Sequence, residues 1–276
     1  MDNYAPTEDD ARAVARRLVA ARREARALPD YPGALPQTLD QGYACQDAAI
    51  ALWGRPIAGW KVGLVPPDLQ PRFGEERVVG PVFADAVQRP GPGERARFAT
   101  IPGGFAAVEA EFVFRLGADA PADKRRYTAQ EAADLADALL VGIELAGSPL
   151  PLINALGSAV VASDFGNNAG LVLGPEIPDW RRLDPAELRC ETFVDGARVG
   201  EGGAGAIHGG LLAALAFALG RCAQRGYPLR AGALVTTGAA TGIHDIRPGQ
   251  HARVSFGRHG ELHCEAVAAL AAGPQA

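Results

Sequence analysis

The sequence predicts an α+β fold in which an N-terminal helical arm leads into a β-rich domain. Three observations carry that expectation. Helical patterns cluster in the first half of the chain. Alternating strand patterns and hairpin turns dominate the second half. The strands do not alternate regularly with helices, as a doubly wound sheet would require. With 276 residues, 48% of them hydrophobic, the chain can bury a large core. No internal repeat, low-complexity tract or clear linker divides it. We expect residues 1–60 to form a helical region packed on a main domain at 61–276.

The elements follow in order. The first 30 residues read as a helix that Thr7 can cap, with Asp10 three residues on. Val14, Leu18, Ala21, Ala25 and Leu28 form its apolar stripe, and arginines interspersed with acids cover a solvated face. A Pro-rich spacer, Asp30 to Pro36, precedes a second helix at Leu39–Trp53. Gly-Trp-Lys-Val-Gly-Leu (59–64) is a short apolar run enclosing one lysine. Residues 65–104, rich in Pro and Gly, read as a long loop with short strands around Val78–Val87; loops of that length often serve as lids. Val108–Leu116 alternates like a strand. Thr128 and Glu131 make a capping box for a helix running to about Leu140, and an apolar strand at 138–146 follows. A polar loop, Ser163–Gly170, leads into Leu171–Leu173. Leu188, Cys190, Thr192 and Val194 alternate, and Asp195-Gly196 supplies a tight turn, so Leu188–Val199 reads as a hairpin. A helix at about Ile207–Gln224 stops at Gly226. The rest is β: Ala233–Thr237, then Ala252–Phe256 and Leu262–Ala266 joined around Gly257 and Gly260.

Several function classes are excluded. A net charge of −5 leaves no electrostatic footprint for nucleic acid. No apolar stretch reaches the roughly 18–20 residues of a membrane helix. The acidic N-terminus has no apolar core and is no secretory signal. Cys45, Cys190, Cys222 and Cys264 are far apart and form no CxxC, which reads as reduced thiols in a cytoplasmic protein. The five histidines make no paired ligand pattern. Gly-Glu-Gly-Gly-Ala-Gly (200–205) lacks the lysine and spacing of a nucleotide loop.

The acids are more informative. Glu109 and Glu111 fall together on one face of their strand, because side chains repeat every second residue. Glu144 interrupts an apolar run. Adjacent like charges and a buried acid are costly unless something positive joins them. A divalent cation is the simplest joiner; water on an edge strand, or an arginine for Glu144, would also serve. Oxygen ligands without Cys or a His pair favour Mg²⁺, Mn²⁺ or Ca²⁺ over Zn²⁺. Three glutamates leave about three positions on Mg²⁺ for water or substrate, so the ion could hold a 2-oxo acid and stabilise an enolate. Lys61 is the one charge in Ile57–Leu64. A lysine in an apolar setting has its pKa lowered and can act as general acid or base; a surface lysine that snorkels is the alternative.

Taken together, six segments resemble the fumarylacetoacetate hydrolase superfamily, and within it the 2-keto-4-pentenoate hydratase and 4-oxalocrotonate decarboxylase branch. They are 59–64, Val-Glu-Ala-Glu-Phe-Val-Phe (108–114), Gly-Ile-Glu (142–144), Ala-Ser-Asp-Phe-Gly-Asn-Asn-Ala-Gly (162–170), 231–242 and 248–256. They occur in the family's order over residues 40–270. The resemblance implies a mixed β-roll, a homo-oligomer, and Mg²⁺ or Mn²⁺ held by Glu109, Glu111 and Glu144. It makes Lys61 the catalytic proton-transfer group and places Asp164, Thr237, Gly238 and Thr241 at the substrate. The chain departs from the family's Ala-Asp-Asn-Ala-Ser-Ser-Gly loop at Phe165–Asn168, and residues 65–85 also match loosely.

The expected activity is a metal-dependent lyase on an unsaturated 2-oxo acid from aromatic-ring breakdown. Hydration of a 2-hydroxypenta-2,4-dienoate-type compound through a metal-bound enolate ranks first. Decarboxylation of a 4-oxalocrotonate-type substrate ranks second and would need a cation for the second carboxylate: Arg55, Arg72 and Arg77 are candidates. C–C hydrolysis of an acylpyruvate ranks third, since no His–acid pair is visible near the lid. A non-catalytic subunit beside a hydratase or decarboxylase partner is the competing class.

Overall fold

The computed structural model describes residues 8–91 and 93–271. Helix α1 (Glu8–Arg23) and helix α2 (Leu39–Trp53) form the arm. Strand β1 (Ile57–Leu64), a single helical turn α3 (Gln70–Phe73), β2 (Arg77–Phe83), β3 (Val87–Gln88) and β4 (Ala96–Thr100) follow. Then come β5 (Phe105–Leu116), α4 (Ala129–Leu135), β6 (Ala136–Ser148), α5 (Ser158–Ser163) and β7 (Asn168–Glu176). The chain continues as β8 (Arg189–Val194), β9 (Ala197–Gly203), α6 (Leu211–Gln224), β10 (Leu234–Thr236), β11 (His244–Asp245), β12 (His251–Ser255) and β13 (Glu261–Ala268).

The strands make two sheets. One runs β2-β1-β10-β5-β6-β7-β3, with β11 also paired to β5; the other runs β4-β13-β12-β8-β9. The first sheet mixes parallel pairs, β1 with β10 and β3 with β7, among antiparallel ones. It curls into a half-barrel: Val82 of β2 packs with Leu171 and Leu173 of β7, five places away in the strand order, and with Val113, Leu140 and Leu234. On its convex face Phe112 meets Phe256 of the second sheet edge-on at 5.6 Å. The concave face is therefore apolar at one end and, as shown below, carries charge at the other.

The arm is clamped on two sides. Val14, Leu18 and Ala21 pack with Cys45, Leu150, Ile153 and Val160. Ala15 and Val19 pack with Ala49, Phe83 and Phe165. The expected boundary at 60/61 falls inside β1. Helix α2 matches its expected limits, with Thr38 Oγ1 accepting the Gln41 N–H at 3.2 Å and Gly54 closing the other end in the left-handed region. The Thr7 cap lies outside the described residues.

Three expectations need correction. Helix α1 stops at Arg23 rather than near residue 30, because Ala25 turns to φ 50; Leu28 is still buried, but its N–H goes to Pro149 O. Helix α4 stops at Leu135, since from Ala136 the backbone pairs with β5, Leu116 against Ala136 and Arg115 against Ala138. Residues 65–104 hold the strands expected around Val78–Val87, and α3 and β4 besides, so less of the segment is loop than expected. Strand β2 is buried throughout and pairs with β1 along its length. Among the described residues no helix is long and apolar enough to cross a membrane. All four cysteines are free and buried.

Candidate metal centre and active site

The sheet register assembles the acids. Antiparallel pairing of β5 with β6 sets Glu109 directly opposite Glu144, and Glu111 opposite Gly142. All three side chains project from the concave face, where Lys61 arrives from β1. Each carboxylate offers an oxygen within 4.8 Å of the others. Glu109 is 3% exposed, and Glu111 and Glu144 are sealed completely. Like charges facing one another across strands are destabilising, and burial adds to the cost.

The surroundings neutralise only part of this charge. Glu144 Oε1 accepts from Lys61 Nζ at 3.2 Å and from Asn168 Nδ2 at 3.1 Å. Glu111 Oε2 accepts the backbone N–H groups of Thr237 at 2.9 Å and Gly238 at 2.7 Å. Glu109 Oε1 and Glu111 Oε1 have no hydrogen-bond partner among the described residues. Burial pushes the Glu109 carboxyl up to about 7, Glu144 adds to the rise, and Lys61 opposes it. Glu111 is raised well above the carboxylate range, again by burial first and then by its two acidic neighbours. Two orphaned oxygens in a buried, all-oxygen trio are what a hard divalent cation satisfies. The residues therefore fit such an ion.

Lys61 differs from its sequence-based expectation. Burial does pull its pKa down, but Glu144, Glu109 and Glu111 outweigh burial and the net direction is up. Its other partner is Asn167 Oδ1 at 3.2 Å. Both partners are acceptors, and the three carboxyls around the amine favour its charged form; the residue is 4% exposed.

A cavity of about 270 Å³ opens beside this cluster, walled by Lys61, Glu109, Asn154, Thr237, Arg77 and His208 among others. That space suits a small organic acid. Gly238 also lines it. Thr237 and Gly238 both line the cavity and orient Glu111 through their backbone N–H groups. Asp164 and Thr241 do not line the cavity. Asp164 is buried in a two-pronged ion pair, Arg22 Nε to Oδ1 at 2.7 Å and Nη2 to Oδ2 at 2.9 Å, with Ser148 Oγ on Oδ2 at 2.5 Å. Its oxygens are occupied by the arm. Thr241 Oγ1 pairs with Thr192 Oγ1 at 2.8 Å and with His244 Nε2 at 3.2 Å.

Asn154, Asn167 and His208 are wall residues that no sequence pattern marks, and by sequence Arg77 does not stand apart from Arg55 and Arg72. The structure separates them: Arg77 alone of the three lines this cavity, from a buried position on β2. It also brings His208 Nε2 to 3.7 Å from Glu76 Oε2. That is too long for a hydrogen bond, and both side chains are more than half exposed, so the pair is not a formed water-activating dyad.

No family model matches the chain. Solved structures do. The 4-oxalocrotonate decarboxylase from Pseudomonas putida G7, complexed with calcium and acetate, matches with a TM-score of 0.77 at 18% identity, over 96% of this chain and 100% of that one. The same enzyme complexed with magnesium and adipate gives 0.76 at 18% over 96% and 100%. A fumarylpyruvate hydrolase from Pseudomonas aeruginosa, in complex with Mn²⁺ and pyruvate, matches with 0.56 at 18% over 76% and 88%. A fumarylacetoacetate hydrolase from psychrophilic Exiguobacterium antarcticum matches with 0.56 at 17% over 78% and 76%. At these identities the likeness is one of architecture: over 96% of its length this chain has the fold of the Pseudomonas putida decarboxylase, and over 78% that of the Exiguobacterium fumarylacetoacetate hydrolase.

Proposed function

We propose that this protein is a divalent-metal-dependent lyase acting on a small unsaturated 2-oxo acid, with Glu109, Glu111 and Glu144 holding Mg²⁺ or Mn²⁺. The observation that carries the reading is the sealed acidic trio, two of its oxygens orphaned, set against Lys61 at the wall of a small cavity. A cation held there would supply Lewis acidity to the 2-oxo group and its carboxylate. Lys61, held as an ammonium, donates a proton at the substrate carbon that becomes electron-rich. The Thr237 and Gly238 N–H groups keep Glu111 turned toward the trio.

Hydration and decarboxylation both pass through an enolate. Arg77 favours a dicarboxylic substrate: its guanidinium, though it donates to Glu76 Oε2 at 3.2 Å and to His208 O, stands in the cavity wall with N–H donors left for a second carboxylate. The match over the full length of a decarboxylase solved with adipate, a dicarboxylate, supports the same choice. We therefore place decarboxylation of a 2-oxohexenedioate first and hydration of a 2-hydroxypenta-2,4-dienoate second. The test is ultraviolet loss of a panel of mono- and dicarboxylic unsaturated 2-oxo acids, with and without EDTA. Turnover that EDTA abolishes and Mg²⁺ or Mn²⁺ restores is expected. A protein that contains no metal and turns over none of the panel would favour the non-catalytic alternative.

A further inference from the structure

We propose that Asn167 is a positioning residue that fixes the Lys61 ammonium against the acidic trio, delivered there by a backbone turn held in an unfavourable conformation. The proposal rests on the reading of Lys61 as the proton-transfer group.

Three consecutive residues, Phe165 (φ 56), Gly166 (φ 64) and Asn167 (φ 57), lie in the left-handed region. Only one of them is glycine. Asparagine tolerates that conformation, but phenylalanine rarely accepts it, so neighbouring contacts must impose it there. Those contacts are visible. At the front of the turn, Asp164 is locked to Arg22. The Phe165 ring packs edge-on to Phe83 at 5.0 Å and to Trp53 at 5.8 Å. Beneath the turn lies Gly80 of β2, where a Cβ would stand 2.0 Å from Phe165 O. At Gly166 a Cβ would meet the Lys61 Cδ at 3.2 Å, so the turn rests directly on the lysine stem.

The product of this arrangement is one amide. Asn167, 3% exposed, accepts from Lys61 Nζ at 3.2 Å and donates through Nδ2 to Asn154 Oδ1 at 3.0 Å. Lysine has no acceptor, so Asn167 must turn its oxygen to Lys61 and its nitrogen to Asn154. The amide is therefore fixed at both ends, and Asn154 belongs to the cavity wall. Glu144 restrains Nζ from one direction and Asn167 from a second. A proton donor needs that second restraint, because rates depend steeply on its alignment.

The test uses Asn167→Gly, which tolerates the left-handed backbone while deleting the amide, and Asn167→Asp, which keeps an acceptor. The chain has only two lysines, Lys61 and the partly exposed Lys124, so ¹³Cε-lysine labelling gives two signals. In the metal-free wild type the Lys61 methylene protons should be inequivalent, as for a single rotamer. In Asn167→Gly they should average. There kcat should fall about 10- to 100-fold, with KM within about threefold and metal content unchanged. Asn167→Asp should recover part of kcat and of the inequivalence. An unmoved Lys61 signal, a kcat within about twofold of the wild type, or loss of metal from the glycine variant would overturn the proposal. If the wild type turns over no 2-oxo acid, the functional reading fails; the Lys61 spectrum still decides whether Asn167 positions it.

Discussion

Lys61 Nζ lies 3.2 Å from Glu144 Oε1, joining a side chain 5% exposed to one that is fully sealed. The pair thus links the proton-transfer candidate to a candidate metal ligand. Its strands, β1 and β6, are separated by β10 and β5, and the curl of the sheet brings them together.

Lys61→Ala should cut turnover about 10²–10⁴-fold, the usual scale for general acid–base catalysis, with metal retained. A drop of less than about threefold would make Lys61 a bystander. Metal-free protein should also melt lower in this variant, because Glu144 loses its ion pair with Lys61, and bound metal should restore much of the loss. Steady-state assays and scanning calorimetry with and without EDTA check both.

Asp164→Asn should act on stability. Breaking a buried ion pair costs about 3–5 kcal/mol, since Arg22 is left without its carboxylate. Chemical denaturation should show that loss while the KM of the remaining folded enzyme stays near wild type. A stable variant with a greatly raised KM would return Asp164 to the substrate.

Arg77→Met should discriminate between substrates. Losing a charge-assisted hydrogen bond of about 1.5–3 kcal/mol lowers kcat/KM for a dicarboxylate about 10- to 100-fold. The monocarboxylic dienoate should be much less affected. Equal losses on both would remove the argument for decarboxylation.

How far the sequence carried the site depends on how locally each contact is encoded. Glu109, Glu111 and Glu144 were legible because a two-residue period fixes faces and a charge inside an apolar run stands out. The ion pair of Asp164 was hidden because its partner, Arg22, lies 142 residues away. Asn167 left no signal, since an amide in a polar loop reads as solvent-facing. Strand β2 was legible only as a short strand within a loop, because Gly80 and Pro81 interrupt its pattern. In the structure Pro81 is tolerated on an edge strand, and Gly80 admits the Phe165 carbonyl. The alanine-rich stretch through Ala136 suits helix and strand alike, and pairing with β5 decided it.

Metal-free stability should fall as pH rises. A carboxyl whose folded pKa exceeds its unfolded value stabilises the fold below the unfolded value, about 4.3, and loses that contribution as pH climbs through the folded one. For Glu109 the folded value is about 7. Lys61, raised, stays charged across this window and adds no slope. In EDTA, the Tm of the wild type relative to Glu109→Gln should therefore decline between about pH 5 and pH 7.5. Metal affinity should weaken below pH 7, where the ligands must shed protons. A relative Tm that rises over this range would count against the buried trio.

The most direct measurement is calorimetric titration of Mg²⁺ or Mn²⁺ into EDTA-stripped protein near pH 8, with Glu111→Gln alongside. We expect one ion per chain for the wild type, and binding at least about 100-fold weaker in a variant that melts no lower. Equal binding by both proteins, or no binding by a folded wild type, would contradict the assignment of the three glutamates as a metal centre.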